Sequence, residues 1–320
     1  MKIFITGSSG FIGFHLCKKL LDKGHNVCGF DSMNTYYDIR LKKARYQILN
    51  EYKKFSFIKG KVENQKILSR LILKFKPRVI IHLAAQAGVR HALKDPESYL
   101  DSNIKGFLNL VDNLKTNSVK KFIFASSSSV YGEGKKFPQS EEMKPKPINI
   151  YSSTKLLNEE IIKDYSNISK MKFIGLRFFT IYGSHGRPDM FLFKLLKSIF
   201  KKDFFYLNNY GNHLRDFTHV DDVKMIIKKL INKKIGKKFQ IFNISSNKPI
   251  NILKLISAVS KITSISPKII KIEKHKADVL KTHGSNIKIK KYLNLKKFRN
   301  IYNELLPIVK WYKDNKFYKF

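Results

Sequence analysis

Thr6-Gly7-Ser8-Ser9-Gly10-Phe11-Ile12-Gly13 decides how this chain folds. It follows a short apolar run, Lys2 to Thr6, and opens a segment, Phe11 to Lys23, in which Leu16, Leu20 and Leu21 recur at helical spacing. A strand, a glycine-rich turn and a helix in that order make the phosphate cradle of a dinucleotide-binding βαβ unit. Gly7 permits the tight turn, Gly10 lets the backbone approach a pyrophosphate, and Gly13 lets helix pack close on strand. Phe11 and Ile12 begin the helix whose N-terminus faces the phosphate charge. A turn with a purely structural role needs fewer glycines.

Further runs rich in β-branched and aromatic residues predict strands at Asn26 to Phe30, Phe55 to Lys59, Val79 to Leu83, Lys121 to Ser126 and Lys172 to Phe178, with a later one at Phe239 to Ile244. Longer amphipathic segments lie between them, Tyr151 to Ser169 among them. This alternation predicts an α/β fold, a Rossmann-type doubly wound parallel sheet with a smaller C-terminal substrate-binding lobe. We expect residues 1–180 to form the NAD-binding domain, with the strand near 239–244 added later. Residues 181–320 then supply most of the substrate lobe, partly interleaved, with helices at Ile252 to Lys261 and Ile301 to Tyr312. Asp31 ends the second strand, near the offset of about 20 residues at which a carboxylate takes the adenosine ribose hydroxyls. It favours NAD over NADP, because Ser32, Met33 and Asn34 supply no arginine to offset its repulsion of a 2'-phosphate.

With 320 residues the chain can bury a large core without staples, and its two cysteines, Cys17 and Cys28, sit in apolar surroundings. No apolar run is long enough to span a bilayer or serve as a secretion signal, so we expect a cytoplasmic protein with no membrane partner. The formal net charge of +39 attracts polyanions without sequence preference. Its lysines are scattered rather than gathered in a stripe, which predicts a solvated basic surface and no specific nucleic-acid partner. A non-catalytic, polyanion-binding Rossmann protein is the reading this charge leaves open. His82, His185 and His275 show no metal-ligand clustering, and no metal is expected.

Tyr151 and Lys155 share one face of a predicted helix. A lysine ammonium about 4 Å from a phenol contributes roughly 4 kcal/mol at an effective dielectric of about 20, or about three pK units before desolvation. That brings a tyrosinate base within reach of neutral pH. Ser126-Ser127-Ser128-Ser129 stands at the carboxyl end of a predicted strand, where open α/β sheets place ligands, and a hydroxyl there can share the reacting proton.

Glycine turn, Asp31, serine run and Tyr-Lys pair, in this order, resemble the extended short-chain dehydrogenase/reductase family of NAD-dependent epimerases and dehydratases. The resemblance spans nearly the whole chain and strengthens at Leu83-Ala84-Ala85-Gln86-Ala87-Gly88-Val89-Arg90, at Asn103 with Gly106, and at Arg177 to Gly183. It implies Ser127 as the catalytic hydroxyl, Tyr151 as the base and Lys155 as the group that tunes it. It also implies an NAD site lined by Leu83, Ala84, Ala85, Asn103 and Phe178, with Asn34 among the cofactor-binding residues and Val62 near the adenine.

Within the family the chain is most similar to UDP-glucuronate 4-epimerases, on Asn34-Thr35-Tyr36-Tyr37-Asp38 with Arg40, on Phe178 to Gly183, and on Gly186-Arg187-Pro188-Asp189-Met190. That similarity implies a carboxylate contact from Arg187, shared with the hydroxyls of Ser128, Ser129 and Thr180. It further implies Arg90 beside the substrate, Arg215 on the diphosphate and Asp278 on the uridine ribose. A UDP-sugar substrate, NAD and a homodimer are the partners expected, the dimer pairing helices near Glu97 to Lys115 and Tyr151 to Ser169. The reaction implied is 4-epimerisation of UDP-glucuronate to UDP-galacturonate through a 4-keto sugar, on a route to surface polysaccharide. UDP-N-acetylglucosamine or UDP-glucose is the alternative substrate, and decarboxylation of UDP-glucuronate the alternative reaction. Decarboxylases and dehydratases carry an acid just after the catalytic hydroxyl, where this chain has Ser128. Lys61, Gly284, His91 and His219 depart from the family pattern.

Overall fold

A computed structural model of the chain describes residues 1–115 and 118–315. Its strands are β1 (Lys2–Thr6), β2 (Asn26–Asp31), β3 (Phe55–Lys59), β4 (Val79–His82), β5 (Lys121–Ser127), β6 (Lys172–Phe178), β7 (Thr180–Tyr182), β8 (Phe204–Asn208), β9 (Leu214–His219), β10 (Phe239–Ile244), β11 (Pro249–Asn251) and β12 (Lys268–Ile272). Seven build one parallel sheet in the order β10-β6-β5-β4-β1-β2-β3. From β1 the chain winds outward through β2 and β3, then crosses back to β4 and winds the other way. The crevice beyond the carboxyl ends of β1 and β4 is the switch point where such sheets bind ligands.

Both faces of this sheet are covered, so its central strands are apolar at consecutive positions. Ile3, Phe4 and Ile5 of β1 and Phe122, Ile123 and Phe124 of β5 are all fully buried. Alternate side chains serve opposite faces. Ile3 and Ile5 join Leu16 and Leu20 of the helix Phe11–Leu21 and Val223, Ile226 and Leu230 of the helix Val220–Asn232. Phe4 packs on the other side with Leu68 and Ile72 of Gln65–Phe75, Phe107 of Gly106–Asp112 and Ile162 of Ile150–Ile168.

A separate apolar cluster gathers Leu195 and Leu196 of the helix Phe191–Lys201, Leu255 and Val259 of Ile252–Thr263, and Leu305 and Ile308 of Ile301–Asp314. It carries the small sheet β11-β9-β7 and the parallel pair β12-β8. Four of these five strands lie after residue 182, and none of the five is among the strands expected from the sequence. β8 is Phe-Phe-Tyr-Leu-Asn: Phe205 and Leu207 are buried and Phe204 and Tyr206 exposed, so apolar residues on both faces hide the period of two. The helical stretch expected near Glu97 to Lys115 is a turn at Pro96–Tyr99, a π-helical segment Leu100–Lys105 and the helix Gly106–Asp112. Among the described residues no helix is long and apolar enough to cross a membrane.

Candidate active site

At the switch point the strand ends open into a cleft of about 1270 Å³. Every residue nominated from the sequence lines it, Asn103 excepted. Asn103 lies in the π-helical segment, fully buried behind the wall. Its amide donates to the Gln86 carbonyl (3.0 Å) and to Thr154 (3.1 Å), and its oxygen accepts from the Gln86 N–H (2.9 Å). It props the wall rather than lining it.

The glycine turn forms one end of the cleft. Gly7 has φ +73°, and a Cβ there would stand 2.7 Å from the Ala84 nitrogen. A Cβ on Gly13 would stand 2.0 Å from the Gly7 carbonyl oxygen, so only glycine allows the helix to start so close to the strand. Asp31 takes the Ser9 N–H (3.0 Å) on one oxygen and the Met33 N–H (2.9 Å) on the other. Each oxygen retains a lone pair for a ribose hydroxyl. This backbone cradle and its acceptor fit a dinucleotide.

The same end carries a cation that sequence neighbours did not reveal. Lys42, from the helix Ile39–Asn50, lies 4.0 Å from Asp31 and donates to Asn34 at 2.5 Å. Ser32, Met33 and Asn34 supply no arginine, as expected; the cation beside Asp31 is a lysine carried in by the next helix. Val62 packs on Gly106, where a Cβ would stand 2.4 Å from it.

The helix Ile150–Ile168 starts in a reciprocal cap: Asn149 accepts from the Ser152 N–H (2.9 Å), and Ser152 Oγ accepts from the Asn149 N–H (3.2 Å). This fixes Tyr151 in the first turn, with Lys155 and Glu159 following at four-residue spacing on the same face. Lys155 donates to the Ala125 carbonyl at 3.1 Å, and its Nζ is 6.0 Å from the Tyr151 ring centroid. Burial lowers the Lys155 ammonium to about 8. Burial also raises the Tyr151 phenol above its ordinary value, although the Ser127 hydroxyl and the Arg187 charge act to lower it. The expected lysine-driven fall in the Tyr151 pKa is thus corrected: the ammonium points to a backbone carbonyl, and desolvation outweighs the remaining charges.

Ser127 Oγ donates to Ser129 Oγ and accepts the Ser129 N–H, both at 3.1 Å. Behind the serines lies a buried network that sequence reasoning missed. Arg177 of β6 grips Glu159 with two bonds, at 2.9 and 2.7 Å, and donates to Tyr131 at 2.9 Å. Ser126 donates to the same Glu159 carboxylate. Strand and helix are thereby locked in register, and the four-residue step from Lys155 to Glu159 was the available signal.

At the far end, charges meet one another. Arg187 makes a two-bond pair with Asp189, lies 5.6 Å from the Tyr36 ring centroid, and Tyr36 donates to Asp189 at 3.4 Å. Burial works against the Arg187 charge, but Asp189 holds its pKa above the usual value. Arg90 pairs with Asp278 at 2.6 Å. Burial would raise the Asp278 carboxyl, yet Arg90 and Arg215 hold it below the usual range. Arg215 donates to the carbonyls of Val279 (2.6 Å), Leu280 (2.9 Å) and Leu214 (3.0 Å).

The family departures have local reasons. A Cβ on Gly284 would meet Phe179 at 2.4 Å, and the Gly284 N–H donates to buried Asp216 at 3.1 Å. His219 caps the helix Val220–Asn232 by accepting the Asp221 N–H at 3.2 Å. His91 packs edge-on to Tyr36 with ring centroids 5.0 Å apart, and Lys61 lines the cleft.

A parallel α/β sheet, a dinucleotide cradle at its switch point and a Ser-Tyr-Lys constellation beside it define a nucleotide-cofactor enzyme of the short-chain dehydrogenase type. Residues 3–245 match the model of the NAD dependent epimerase/dehydratase family, and the chain belongs to that family. Its cofactor is NAD. The chain is 36% identical to Protein CapI of Staphylococcus aureus, with 98% of each covered, and 36% identical to UDP-glucuronate 4-epimerase 4 of Arabidopsis thaliana, with 97% of this chain and 75% of that one covered. It is also similar to the crystal structure of UDP-glucuronic acid 4-epimerase from Bacillus cereus in complex with UDP-glucuronic acid and NAD. The TM-score there is 0.93 at 31% identity, over 98% of this chain and 99% of that one.

Proposed function

We propose that this protein is an NAD-dependent UDP-sugar 4-epimerase and that its substrate is UDP-glucuronate. The observation that carries this is one cleft with the glycine cradle at one end, the half-buried cation Arg187 at the other, and Ser127, Tyr151 and Lys155 along its wall. In this reading residues 1–180, with β10, hold the cofactor and the later residues hold the UDP-sugar.

Bound NAD supplies a hydride acceptor that can return the hydride, so none is consumed over a turnover. Tyr151 takes the proton of the C4 hydroxyl as the 4-keto sugar forms. The keto sugar then turns its other face to the cofactor, so that the returning hydride inverts C4, and Tyr151 gives the proton back to the same oxygen. Ser127 shares that proton, and Lys155 supports the phenolate once the cleft is filled, helped by the positive charge of the oxidised nicotinamide. Arg187, with Ser128, Ser129 and Thr180, holds the sugar carboxylate, and the fixed carboxylate keeps the keto acid from losing carbon dioxide. Arg215 and Arg90 take the diphosphate, and Asp278 the uridine ribose, once the Arg90–Asp278 pair opens.

A neutral UDP-hexose is the competing substrate, because Asp189 already neutralises Arg187. The exposed Leu100, Leu108 and Leu157 lie in the two helical segments expected to pair in a homodimer. A cytoplasmic location, beside its nucleotide-sugar supply, completes the reading. Purified protein incubated with UDP-glucuronate and no added cofactor, followed by proton NMR, is expected to yield UDP-galacturonate without carbon dioxide. UDP-xylose would instead mean decarboxylation, and turnover of UDP-glucose or UDP-N-acetylglucosamine alone would remove the acid-sugar assignment.

A further inference from the structure

Arg45 is almost wholly buried in the helix Ile39–Asn50, and no step of the proposed reaction uses it. Its guanidinium spans two parts of the cleft. One Nη donates to the Ser9 carbonyl of the glycine turn at 3.0 Å and to the Tyr37 hydroxyl at 2.7 Å. The other donates to the carbonyls of His185 (2.8 Å) and Gly186 (3.3 Å), the two residues before Arg187. Ser9 in turn donates its N–H to Asp31, so the anchored turn is the one that presents the ribose acceptor.

The backbone gripped on the Arg187 side needs a grip. His185 has φ +54°, a left-handed conformation that a residue with a Cβ rarely adopts. A Cβ on Gly186 would stand 2.2 Å from the Phe193 ring, so the chain passes close against the helix Phe191–Lys201. This sharp turn sets the direction in which Arg187 leaves the backbone. The Arg45 guanidinium meets four acceptors, two on the glycine-turn side and two on the Arg187 side, with donors in fixed, planar directions; an ammonium has three donors for those four acceptors and no fixed fork.

We propose that Arg45 is a positioning residue that ties the dinucleotide turn to the backbone aiming Arg187 at the sugar carboxylate. The proposal rests on the acid-sugar reading of Arg187 given above. It makes affinity for UDP-glucuronate depend on Arg45 while affinity for UDP, which has no carboxylate to meet Arg187, does not.

The test titrates UDP-glucuronate and UDP into the dinucleotide-loaded protein, its Arg45→Lys and Arg187→Gln variants and the double variant, by calorimetry. Arg45→Lys is expected to weaken UDP-glucuronate by about ten-fold and leave UDP unchanged, raising KM more than it lowers kcat. In the Arg187→Gln background it adds nothing to the ratio of the two affinities. Tyr37→Phe removes one anchor without emptying the site and is expected to move the ratio the same way by about two-fold, which keeps the test open if Arg45→Lys does not fold. Equal weakening of both ligands, or an effect additive with Arg187→Gln, overturns the proposal. A ratio that falls with Arg187→Gln but not with the Arg45 and Tyr37 variants sinks the Arg45 role alone. A ratio unmoved by Arg187→Gln sinks the acid-sugar reading and the Arg45 role together.

Discussion

At the dinucleotide end of the cleft, Cβ atoms on Gly7, Gly10 or Gly13 would stand 3.0 Å or less from backbone atoms of the turn or its neighbours. At the sugar end, Arg187 and Arg90 already hold Asp189 and Asp278. The first end is built from backbone shape, which needs no rearrangement when a ligand arrives and suits a group that stays. The second is built from side-chain charges that neutralise one another and must change partners, which suits a ligand that leaves each turnover. A half-buried arginine with no partner carries a desolvation cost, and an internal carboxylate removes that cost at the expense of affinity.

The contrast orders the effects of substitution. Gly13→Ala forces the turn to move and is expected to yield protein without bound dinucleotide, seen as loss of nicotinamide-dependent absorbance, and with no measurable turnover. A variant that kept its dinucleotide would break the shape account. Tyr151→Phe is expected to lower kcat by about 10³-fold while dinucleotide retention and UDP-glucuronate affinity stay as they were, placing the chemistry between the two ends. Arg187→Gln is expected to cut the preference for UDP-glucuronate over UDP-glucose by about 30-fold, read as a ratio of kcat/KM values. An undiminished preference would mean that the serines and Thr180 recognise the acid alone.

Smaller effects fall on stability. Burial holds the His15 imidazole at about 4 and His82 at about 3, both below the ordinary value of 6.5. The unfolded chain therefore binds protons that the folded chain refuses. The stability from these neutral rings is complete above about pH 6.5 and is lost as the pH falls toward 4 and then 3, at up to about 1.4 kcal/mol per pH unit for each ring. Urea unfolding at pH 7.5 and pH 5 should show that loss, and His15→Gln should flatten it. A His15→Gln profile parallel to that of the unaltered protein would remove His15 from the acid response.

How much was legible beforehand follows the same division. β1 to β6 and β10 could be read because doubly covered parallel strands are continuous apolar runs, and the glycine turn because each of its constraints is local. The Tyr151 and Lys155 pair could be nominated from spacing and the serine run from its place at a strand end, with Ser127 picked out of the run by the family resemblance, yet spacing did not reveal that the Ala125 carbonyl takes the Lys155 N–H. The charge pairs of the sugar end were hidden: Arg90 meets Asp278 from 188 positions away. Lys42 was hidden because a helix, not a neighbour in sequence, carries it to Asp31. Asn103 was misplaced because a π-helical segment turns it behind the wall. Local chemistry survives in linear sequence, whereas pairings made by the fold do not.

The most direct test of the central claim, that the hydrogen at sugar C4 leaves and returns within one closed cleft, is to follow that atom. UDP-glucuronate carrying deuterium at C4, incubated in ordinary water with no added cofactor, should give UDP-galacturonate with the deuterium still at C4. Deuterium washed out into water would mean that C4 loses a proton to solvent rather than a hydride to a retained cofactor, and the account would fail.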